Sequence, residues 1–375
     1  MREIMNLLNS FYGIFSSDMG IDLGTANTLV FVKDKGIVIR EPAVVARHKK
    51  SKRIIAIGTE AKKMLGKTPA SIVTVKPLVG GTIADFDATV AQISYYIKQV
   101  HEMGGRLTGL FVRPKVVIGI PSAVTEVQRR AVWEAALSAG AREAYLIEEP
   151  MAAAIGEGIS IFASKGVMVV DIGGGTTEIA VIALGGIVVG RSLKFAGDEM
   201  DQAILHYVRL RHGMLLGEAT AEDIKIKIGS AYAGSPKAQK RKAEEEAEKQ
   251  EESDKNSQIM VVRGRDIETG LPKSQRITDV EIREALSPII NKIIQAIADV
   301  LEETPPELLP DILEQGILLT GGGANLSGFD QLIVERVHMP VYVSSDPMTS
   351  VIRGTGKVLE NEQLLERVKV IGGLR

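Results

Sequence analysis

Two short turns rich in glycine and threonine lie far apart in the chain, at residues 22–28 (DLGTANT) and 171–178 (DIGGGTTE). Each follows an apolar run typical of a β-strand, and each begins with an aspartate, Asp22 or Asp171. Glycines in tight turns let consecutive backbone N–H groups point at one anion. Two such turns facing each other are expected to hold a polyphosphate. The aspartates would then bind a divalent cation, mostly through water as Mg²⁺ prefers, with help from threonine hydroxyls.

A third glycine turn lies at residues 317–325 (ILLTGGGAN). An apolar strand followed by three glycines suits a backbone that lies flat against a nucleoside. One such turn alone is weak support, because glycine clusters occur at many hairpins that bind no ligand. Ordinary tight turns remain the alternative for all three, but their repetition favours a ligand-binding site.

Length and composition limit the class of protein. The chain has 375 residues, 45% hydrophobic and 25% charged, which predicts two globular domains. A net charge of -2 gives no global electrostatic reason to bind nucleic acid, so nucleic acid is not expected as a partner. The absence of cysteine excludes disulfides and thiolate metal sites and fits a reducing cytoplasm. No run reaches the roughly 18 apolar residues that a spanning helix needs.

The order of strands and helices occurs twice along the chain. In the first half, a strand, turn and strand at 19–32 precede a helix at 90–100. In the second half the same order recurs at 167–189, before helices around 198–211 and 281–301. Alternating strands and helices are typical of α/β domains. The repetition predicts two similar α/β domains around one cleft, which is the default position for a ligand.

The N-terminal residues have an amphipathic pattern. On a helix with about 100° between successive residues, the apolar side chains of residues 1–16 fall on one half of the circumference. We expect this helix to lie in a membrane interface, with a helix docked on its own domain as the alternative. Binding by a single helix would be weak and would need many copies, because the polar face carries only Arg2 and Glu3. The predicted membrane contacts in this helix are Ile4, Leu7, Leu8, Phe11 and Phe15.

A second candidate membrane contact is the pair Leu110 and Phe111. Flexible glycines precede the pair, and the cations of Arg113 and Lys115 follow it. Bulky apolar side chains beside cations suit a loop tip that enters a lipid surface. Packing of both side chains into the protein core is the alternative.

Several segments resemble a known family. Residues 21–28, 146–156 and 171–178 are similar to the MreB family of bacterial actin homologues, within the actin, heat-shock-70 and sugar-kinase superfamily. The resemblance implies an actin-like ATPase fold: two duplicated α/β domains with ribonuclease H-like cores, each with a smaller subdomain, around a nucleotide cleft. Further similar segments, in chain order, are 83–86, 196–201, 217–222, 228–230, 262–264 and 304–308.

The resemblance also implies domain bounds. Domain I would cover residues 17–153, with a small subdomain at about 42–83. Domain II would cover 154–345, with a small subdomain at about 190–275, and 346–375 would return to domain I.

In function, the resemblance implies a cytoskeletal ATPase that uses ATP and Mg²⁺ and polymerises into filaments. The filaments would lie on the cytoplasmic, inner face of the cell membrane, maintain rod cell shape and position peptidoglycan synthesis. The implied partners are other copies of the chain, inner-membrane lipid and membrane proteins of the cell-wall elongation machinery. A small-molecule kinase on the same fold and a non-hydrolysing nucleotide-binding scaffold remain alternatives, and a preference for ATP over GTP stays open.

The resemblance assigns roles to individual residues. Asp22 and Asp171 would organise magnesium, and Glu149 would orient the attacking water or accept its proton, with Thr176 holding the same water. The neighbouring Glu148 is the alternative to Glu149, although a charge at a helix N-terminus explains it equally well. The implied nucleotide contacts are Thr25, Ala26, Asn27, Gly173, Gly174, Gly175, Glu222, Asp223, Ile224, Lys225, Gly322, Gly323, Ala324 and Asn325.

Two features depart from the family pattern. Gly80-Gly81 stands where the family usually has Asp-Gly, which removes a carboxylate from a loop near the cleft. Residues 234–257, rich in Lys and Glu and without an apolar stripe, predict a solvated insertion where the family has a shorter connection. The first departure could change the coupling between nucleotide and domain closure, and the second could tune lateral contacts between filaments.

Overall fold

The structure is a computed structural model that describes residues 16–103, 113–232 and 258–370. Strands and helices alternate throughout the first half. Its elements are β1 (Met19–Leu23), β2 (Asn27–Val32), β3 (Gly36–Pro42), β4 (Val45–His48), β5 (Ile54–Ile57), α1 (Thr59–Met64), β6 (Ile72–Val75), β7 (Leu78–Val79), β8 (Thr82–Ile83), α2 (Phe86–Met103), β9 (Lys115–Ile120), α3 (Glu126–Ser138), β10 (Glu143–Glu148) and α4 (Glu149–Gly156).

The second half begins with a strand and ends with helices. Two short 3₁₀ turns, at Gly322–Asn325 and Pro347–Thr349, lie among its last elements. The other elements are β11 (Val167–Ile172), β12 (Thr177–Ala183), β13 (Gly186–Leu193), α5 (Gly197–His212), β14 (Met214–Leu215), α6 (Glu218–Ile228), β15 (Ile259–Asp266), β16 (Pro272–Thr278), α7 (Asp279–Glu303), α8 (Leu309–Gln315), β17 (Ile317–Thr320), α9 (Phe329–Val337), β18 (Val341–Val343), α10 (Ser350–Glu360) and α11 (Glu362–Val368).

The two large sheets have the same topology. The first has the order β10-β9-β1-β2-β3, and the second has the order β18-β17-β11-β12-β13. In each sheet the leading strand, β1 or β11, is antiparallel to the next strand in the chain and parallel to a later one, β9 or β17. The predicted duplication of an α/β unit is therefore confirmed.

Smaller sheets accompany each half. Strands β5, β4 and β6 form a three-stranded sheet next to α1, and β7 pairs with β8. In the second half, β14, β15 and β16 form another three-stranded sheet. These sheets fall within the stretches expected to form small subdomains, while the residue bounds given for the domains stay a prediction.

Local sequence signals explain where several helices begin. Thr125 accepts a hydrogen bond from the backbone N–H of Gln128, whose side chain accepts one from the N–H of Thr125, and this reciprocal cap starts α3. Thr278 and Glu281 form the same reciprocal cap at the start of α7. Pro150 lies in the first turn of α4, where its missing N–H costs no helical hydrogen bond.

A shared core joins the two halves. Buried side chains of α4 and α10 pack together with residues from both large sheets, including Val117 of β9 and Val169 of β11. The helices α4 and α10 cross in close contact, because a Cβ atom on Gly354 would lie only 1.8 Å from the carbonyl oxygen of Ala152. Only glycine allows this approach, so α10 is held against the first half.

None of the helices within the described ranges is long and apolar enough to span a bilayer. The two predicted membrane contacts, in residues 1–15 and at Leu110 and Phe111, lie outside the described residues. The charged insertion at 234–257 also lies outside them.

The contact between α4 and α10 gives a test of the fold. Gly354→Ala should force the two helices apart, because its methyl group would overlap the carbonyl of Ala152. We expect the free energy of unfolding to fall by on the order of 1–3 kcal/mol, measured by thermal or denaturant unfolding. Gly186→Ala is the matched control, since no heavy atom lies within 4 Å of the Cβ it would add. Equal stability of both variants would contradict this packing.

Candidate functional site

A cavity of about 530 Å³ lies between the two halves and is lined by all three glycine turns. Its walls also include Glu149 at the start of α4 and the outward face of α6. Most residues predicted to form the site meet there. Those lining the cavity are Asp22, Thr25, Ala26, Asn27, Glu149, Asp171, Gly173, Gly174, Thr176, Glu222, Lys225, Gly322, Gly323 and Asn325.

Four predicted nucleotide contacts do not line the cavity. Ile224 is fully buried in the core of the second half, and Ala324 is 6% exposed in the same core. Asp223 points to solvent and pairs with Lys227, because on a helix it faces away from Glu222. Gly175 lies behind the cavity wall and packs against Thr25 of the first glycine turn. The structure therefore places these four next to the cavity but not on its surface.

The two phosphate-type turns approach each other closely. A Cβ atom on Gly174 would lie 2.7 Å from Cβ of Ala26 and 2.8 Å from Oγ1 of Thr25. A Cβ atom on Gly175 would lie equally close to Thr25. Any side chain at these positions would push the turns apart, so the glycines are required for the two backbones to face one small volume.

Three carboxylates surround that volume. Asp171 is 6% exposed, and Asp22 and Glu149 are half-buried and line the cavity. Burial raises the pKa of Asp22 to about 7. Burial, followed by the charges of Asp22 and Glu178, raises the pKa of Asp171 to about 8. The pKa of Glu149 is raised well above its usual range, first by burial and then by the charges of Glu178, Asp22 and Asp171.

These carboxylates fit a divalent cation. Within the described residues, no Lys or Arg forms an ion pair with Asp22, Glu149 or Asp171, so their negative charge is not compensated. The same part of the chain has no group of three or more His, Cys, Asp or Glu arranged to hold a metal directly. A cation here would therefore be bound partly through water and a ligand's own oxygens, as Mg²⁺ prefers.

The far end of the cavity is lined by α6 and the 3₁₀ turn at Gly322–Asn325. Lys225 is 2.8 Å from a carboxylate oxygen of Asp201 and donates to the backbone oxygen of Gly197. Two apolar side chains that the sequence did not predict, Ile226 and Met348, also line this end. Ile226 could have been found from its spacing of four after Glu222 on a helix, whereas no local signal marks Met348.

Ion pairs cross the cleft between the small sheets, and sequence reasoning missed them. Lys62 lies 2.7 Å from Glu222, and Lys76 lies 3.2 Å from Asp198. Each pair joins residues more than 100 positions apart, so no local pattern could have indicated it. The predicted site residue Glu222 therefore faces both the cavity and the opposite half.

The residues Gly80 and Gly81, which stand where the family usually has Asp-Gly, lie at the edge of the same cavity. Gly81 has a φ of +71°, and its Cβ would lie 2.7 Å from Pro121 and 2.8 Å from Thr176, so glycine is required. Gly80 has a φ of +54°, but its Cβ would meet only the side chain of Lys194, at 3.5 Å. An aspartate at position 80 would have space beside Lys194 of the opposite half, but the positive φ would strain any residue with a side chain there.

The pKa shifts give a second test. Because the folded-state pKa values of about 7 for Asp22 and about 8 for Asp171 exceed the unfolded value of 3.8, the folded protein binds these protons more tightly. Without metal, the contribution of these two groups to the unfolding temperature should fall as the pH rises from about 4 to about 8 and level off above that, once both groups are ionised in the folded state as well. Asp171→Asn should flatten this dependence, and Mg²⁺ should restore stability at high pH. An unfolding temperature that rises over this range would contradict the assignment.

Comparison with known proteins identifies the family. A family profile described as MreB/Mbl protein matches residues 16–367. The chain is 44% identical over 357 residues to the cell shape-determining protein Mbl of Bacillus subtilis, covering 95% of this chain and all of that protein. It is 47% identical over 360 residues to the cell shape-determining protein MreB of Escherichia coli, covering 94% and 96%.

A solved structure agrees with these matches. The crystal structure of MreB5 of Spiroplasma citri bound to ADP superposes with a TM-score of 0.82 at 36% identity, covering 94% of this chain and 98% of that one. The same protein has also been solved with AMPPNP, and that structure has a TM-score of 0.81. This similarity confirms the predicted actin-like fold with its duplicated α/β domains. The chain belongs to the MreB/Mbl family.

Proposed function

We propose that this protein is a Mg²⁺-dependent ATPase that polymerises into membrane-associated filaments and maintains rod cell shape by positioning peptidoglycan synthesis. The observation that carries the proposal is the cavity in which two duplicated glycine turns face each other beside uncompensated carboxylates. The names of the relatives support a role in cell shape. The ADP and AMPPNP bound to MreB5 support an adenine nucleotide as the ligand here.

The polyphosphate would lie between the first two turns. Thr25, Ala26 and Asn27 line the cavity on one side, and Gly173 and Gly174 line it on the other. Their backbone N–H groups supply fixed partial positive charge, which suits an anion with several oxygens. No charged side chain is needed for this contact, and Lys225, which donates to the backbone oxygen of Gly197 beside the second turn, would add positive charge near it.

The nucleoside would lie at the far end of the cavity. Glu222 and Lys225 are one helical turn apart on α6 and face Gly322–Asn325 across it. Ile226 and Met348 are 68% and 44% exposed, and both line this end, so a planar base would cover apolar surface that otherwise faces water. This arrangement supports binding of a nucleoside without deciding between adenine and guanine.

Asp22 and Asp171 would hold magnesium, largely through bound water. Magnesium bound there would neutralise phosphate charge and the charge that develops during phosphoryl transfer. The two aspartates are at corresponding positions of the duplicated sheets, at the ends of β1 and β11. Their position in a cleft between two protein walls lowers the local dielectric, which strengthens electrostatic contacts made inside it.

Glu149 and Thr176 would act on the attacking water. Both line the cavity from opposite halves, Glu149 at the first residue of α4 and Thr176 in the second turn. A carboxylate with a pKa above its usual range can accept a proton at neutral pH more readily than an ordinary one. The Thr176 hydroxyl, 8% exposed, can hold the same water without titrating. Glu148 does not line the cavity, which favours its neighbour as the catalytic residue.

The ATPase proposal is tested by replacing these two glutamates separately. Glu149→Gln should lower the rate of phosphate release at least about 100-fold, because the water loses its proton acceptor, while ATP binding persists. Glu148→Gln is the matched control and should keep a rate within about threefold of the parent protein. Phosphate release and fluorescent-nucleotide binding would be measured together. Equal losses in both variants, or none in Glu149→Gln, would refute the assignment.

Polymerisation is supported by opposite charge at the two ends of the second half. Helix α7 has 25 residues and is therefore about 37 Å long. Its N-terminal end continues from β16, and its C-terminal end leads into α8. From residue 293 to residue 335 the chain has eight Asp and Glu and no Lys or Arg. Arg191 pairs with Asp299 and Glu303, and Lys165 pairs with Glu314, but Glu302 and Glu307 are exposed without an ion pair to another described residue, so the far end of this helix keeps an acidic surface.

The opposite end presents a basic and apolar strand face. Ile259 and Val261 on β15 are 56% and 60% exposed. Arg263, Arg265 and Arg276 are exposed on the same face, since alternate residues of a strand point the same way and Arg276 pairs with Val261. None of these arginines forms an ion pair with another described residue.

These two surfaces favour head-to-tail assembly. The acidic end carries an exposed apolar side chain as well, Leu313, which is 55% exposed. Because the complementary surfaces lie at opposite ends of one rigid helix, a contact between two copies leaves both outer ends free. Such a heterologous contact propagates into an open filament. Nucleotide would control it by closing the cleft between the halves.

The filament proposal is tested with two charge-reversed variants. One carries Arg263→Glu with Arg276→Glu, and the other carries Glu302→Arg with Glu307→Arg. Each alone should fail to sediment with Mg-ATP, because both of its ends have the same charge. An equal mixture should sediment again, since each variant then complements the other. Arg130→Glu, on the exposed face of α3, is the control and should sediment normally. Failure of the mixture would contradict this contact.

Membrane association is supported by the contact between Ser16 and Arg113. The Ser16 hydroxyl accepts a hydrogen bond from the backbone N–H of Arg113 at 2.7 Å. The residues that adjoin the two predicted membrane contacts in the chain therefore lie side by side. If both weak apolar contacts lie on one surface, they would bind lipid at the same time. Many copies in a filament would then add their contributions. The filament would then lie on the cytoplasmic face of the inner membrane and meet the membrane proteins of cell-wall elongation there.

Lipid binding is tested by co-sedimentation with anionic liposomes. Deleting residues 1–15, or replacing Leu110→Ser with Phe111→Ser, should each lower the bound fraction several-fold, because each removes buried apolar area. Leu271→Ser is the control, since Leu271 is 64% exposed on the second half. Unchanged binding after both changes combined would contradict the membrane proposal.

A further inference from the structure

Glu178 is a buried carboxylate to which the roles above assign nothing. It is 1% exposed. One of its oxygens accepts hydrogen bonds from the backbone N–H of Ser122 at 3.0 Å and from the Ser122 hydroxyl at 2.6 Å. Its other oxygen accepts one from the hydroxyl of Ser192. Both oxygens are therefore satisfied by neutral donors, and no described Lys or Arg pairs with this carboxylate.

These hydrogen bonds connect the two halves of the molecule. Ser122 follows β9 of the first large sheet, whereas Glu178 lies on β12 and Ser192 on β13 of the second. The contact thus joins the turn at 121–122 to the opposite sheet at the base of the cleft. We refer to Ser122, Glu178 and Ser192 as the serine–glutamate clamp.

The clamp lies directly behind the residues proposed to act on water. Thr176 is two residues before Glu178 in the chain. Its methyl group and the ring of Pro121 lie beside the same backbone position, because a Cβ atom on Gly81 would be within 2.8 Å of each. Pro121 immediately precedes Ser122, so the clamp holds Pro121 against Thr176. The charge of Glu178 is also the largest electrostatic contribution to the raised pKa of Glu149, which places the carboxylate near that residue as well.

We propose that Glu178 is a positioning residue for ATP hydrolysis. By holding the 121–122 turn against β12, it fixes Thr176 of one half relative to Glu149 of the other, so that both reach the same water. This inference rests on the proposed ATPase activity. Misplacing a catalytic group by about 1 Å can cost on the order of 100-fold in rate, so a clamp of this kind affects the chemical step more than binding.

Two substitutions separate the hydrogen bonds from the charge. Glu178→Met keeps the length of the side chain and removes every acceptor of the clamp. Glu178→Gln removes the charge, but its amide oxygen can still accept from Ser122 and its amide nitrogen can donate to the Ser192 hydroxyl. Ser192→Ala and Ser122→Ala each remove one hydroxyl, although the Ser122 backbone N–H remains available to Glu178.

The experiment measures kcat and KM for ATP, ADP affinity and amide hydrogen exchange of the segment containing Ser122. Glu178→Met should lower kcat at least about tenfold with KM and ADP affinity changed less than about threefold. Glu178→Gln should recover most of the lost rate. Exchange at Ser122 should be faster in Glu178→Met than in Glu178→Gln, because its N–H loses its acceptor.

The outcomes distinguish this inference from its alternatives. Equal losses of rate in the Gln and Met variants would overturn it, because the charge would then matter and the hydrogen bonds would not. If ADP affinity fell by as much as kcat, the inference would also be overturned, because the clamp would then support the fold and not the positions of the catalytic groups. Unchanged exchange at Ser122 in Glu178→Met would show that the clamp does not hold the turn. Absence of phosphate release from the unmodified protein would instead refute the proposed ATPase activity, while the exchange data would still report on the clamp.

Discussion

The close approach of two backbone turns around buried, uncompensated negative charge is the constraint on which the rest of the structure depends. Gly174 and Gly175 allow the second turn to touch Thr25 and Ala26. The same volume holds the carboxylates of Asp22 and Asp171, which carry no partner cation among the described residues. Such a site is costly when empty, so a ligand that brings both a polyanion and a metal ion stabilises it.

The two halves are held rigidly at the base of the cleft and loosely at its top. At the base, α10 packs on α4, and the hydrogen bonds of Glu178 join the two large sheets. At the top, the ion pair between Lys62 and Glu222 has side chains that are 38% and 30% exposed. Ion pairs this exposed contribute little free energy. Opening and closing about the base therefore requires breaking only weak contacts, which agrees with the proposed closure of the cleft by nucleotide.

Local patterns in the sequence predicted the duplicated fold and the three glycine turns that line the cavity. Aspartates followed by glycine turns are short-range signals, and strand pairing places Asp22 and Asp171 at corresponding positions. Contacts that join distant residues could not be predicted, because no spacing links Ser122 to Glu178 or Lys62 to Glu222. Ile224 is a different case, because the structure buries it in the core beside the cavity. A run of four consecutive helical residues cannot all face one cavity, since each turns about 100° from the last.

The measurement that tests this account most directly is calorimetric titration of the protein with AMPPNP in the presence of Mg²⁺ and in the presence of EDTA. Buried carboxylates without a counter-charge should repel a free polyphosphate, so binding should be at least about 100-fold tighter with Mg²⁺. Asp171→Asn should reduce that difference. Equal affinity in EDTA and in Mg²⁺ would contradict the claim that the turns and the aspartates form one site for a metal-bound nucleotide.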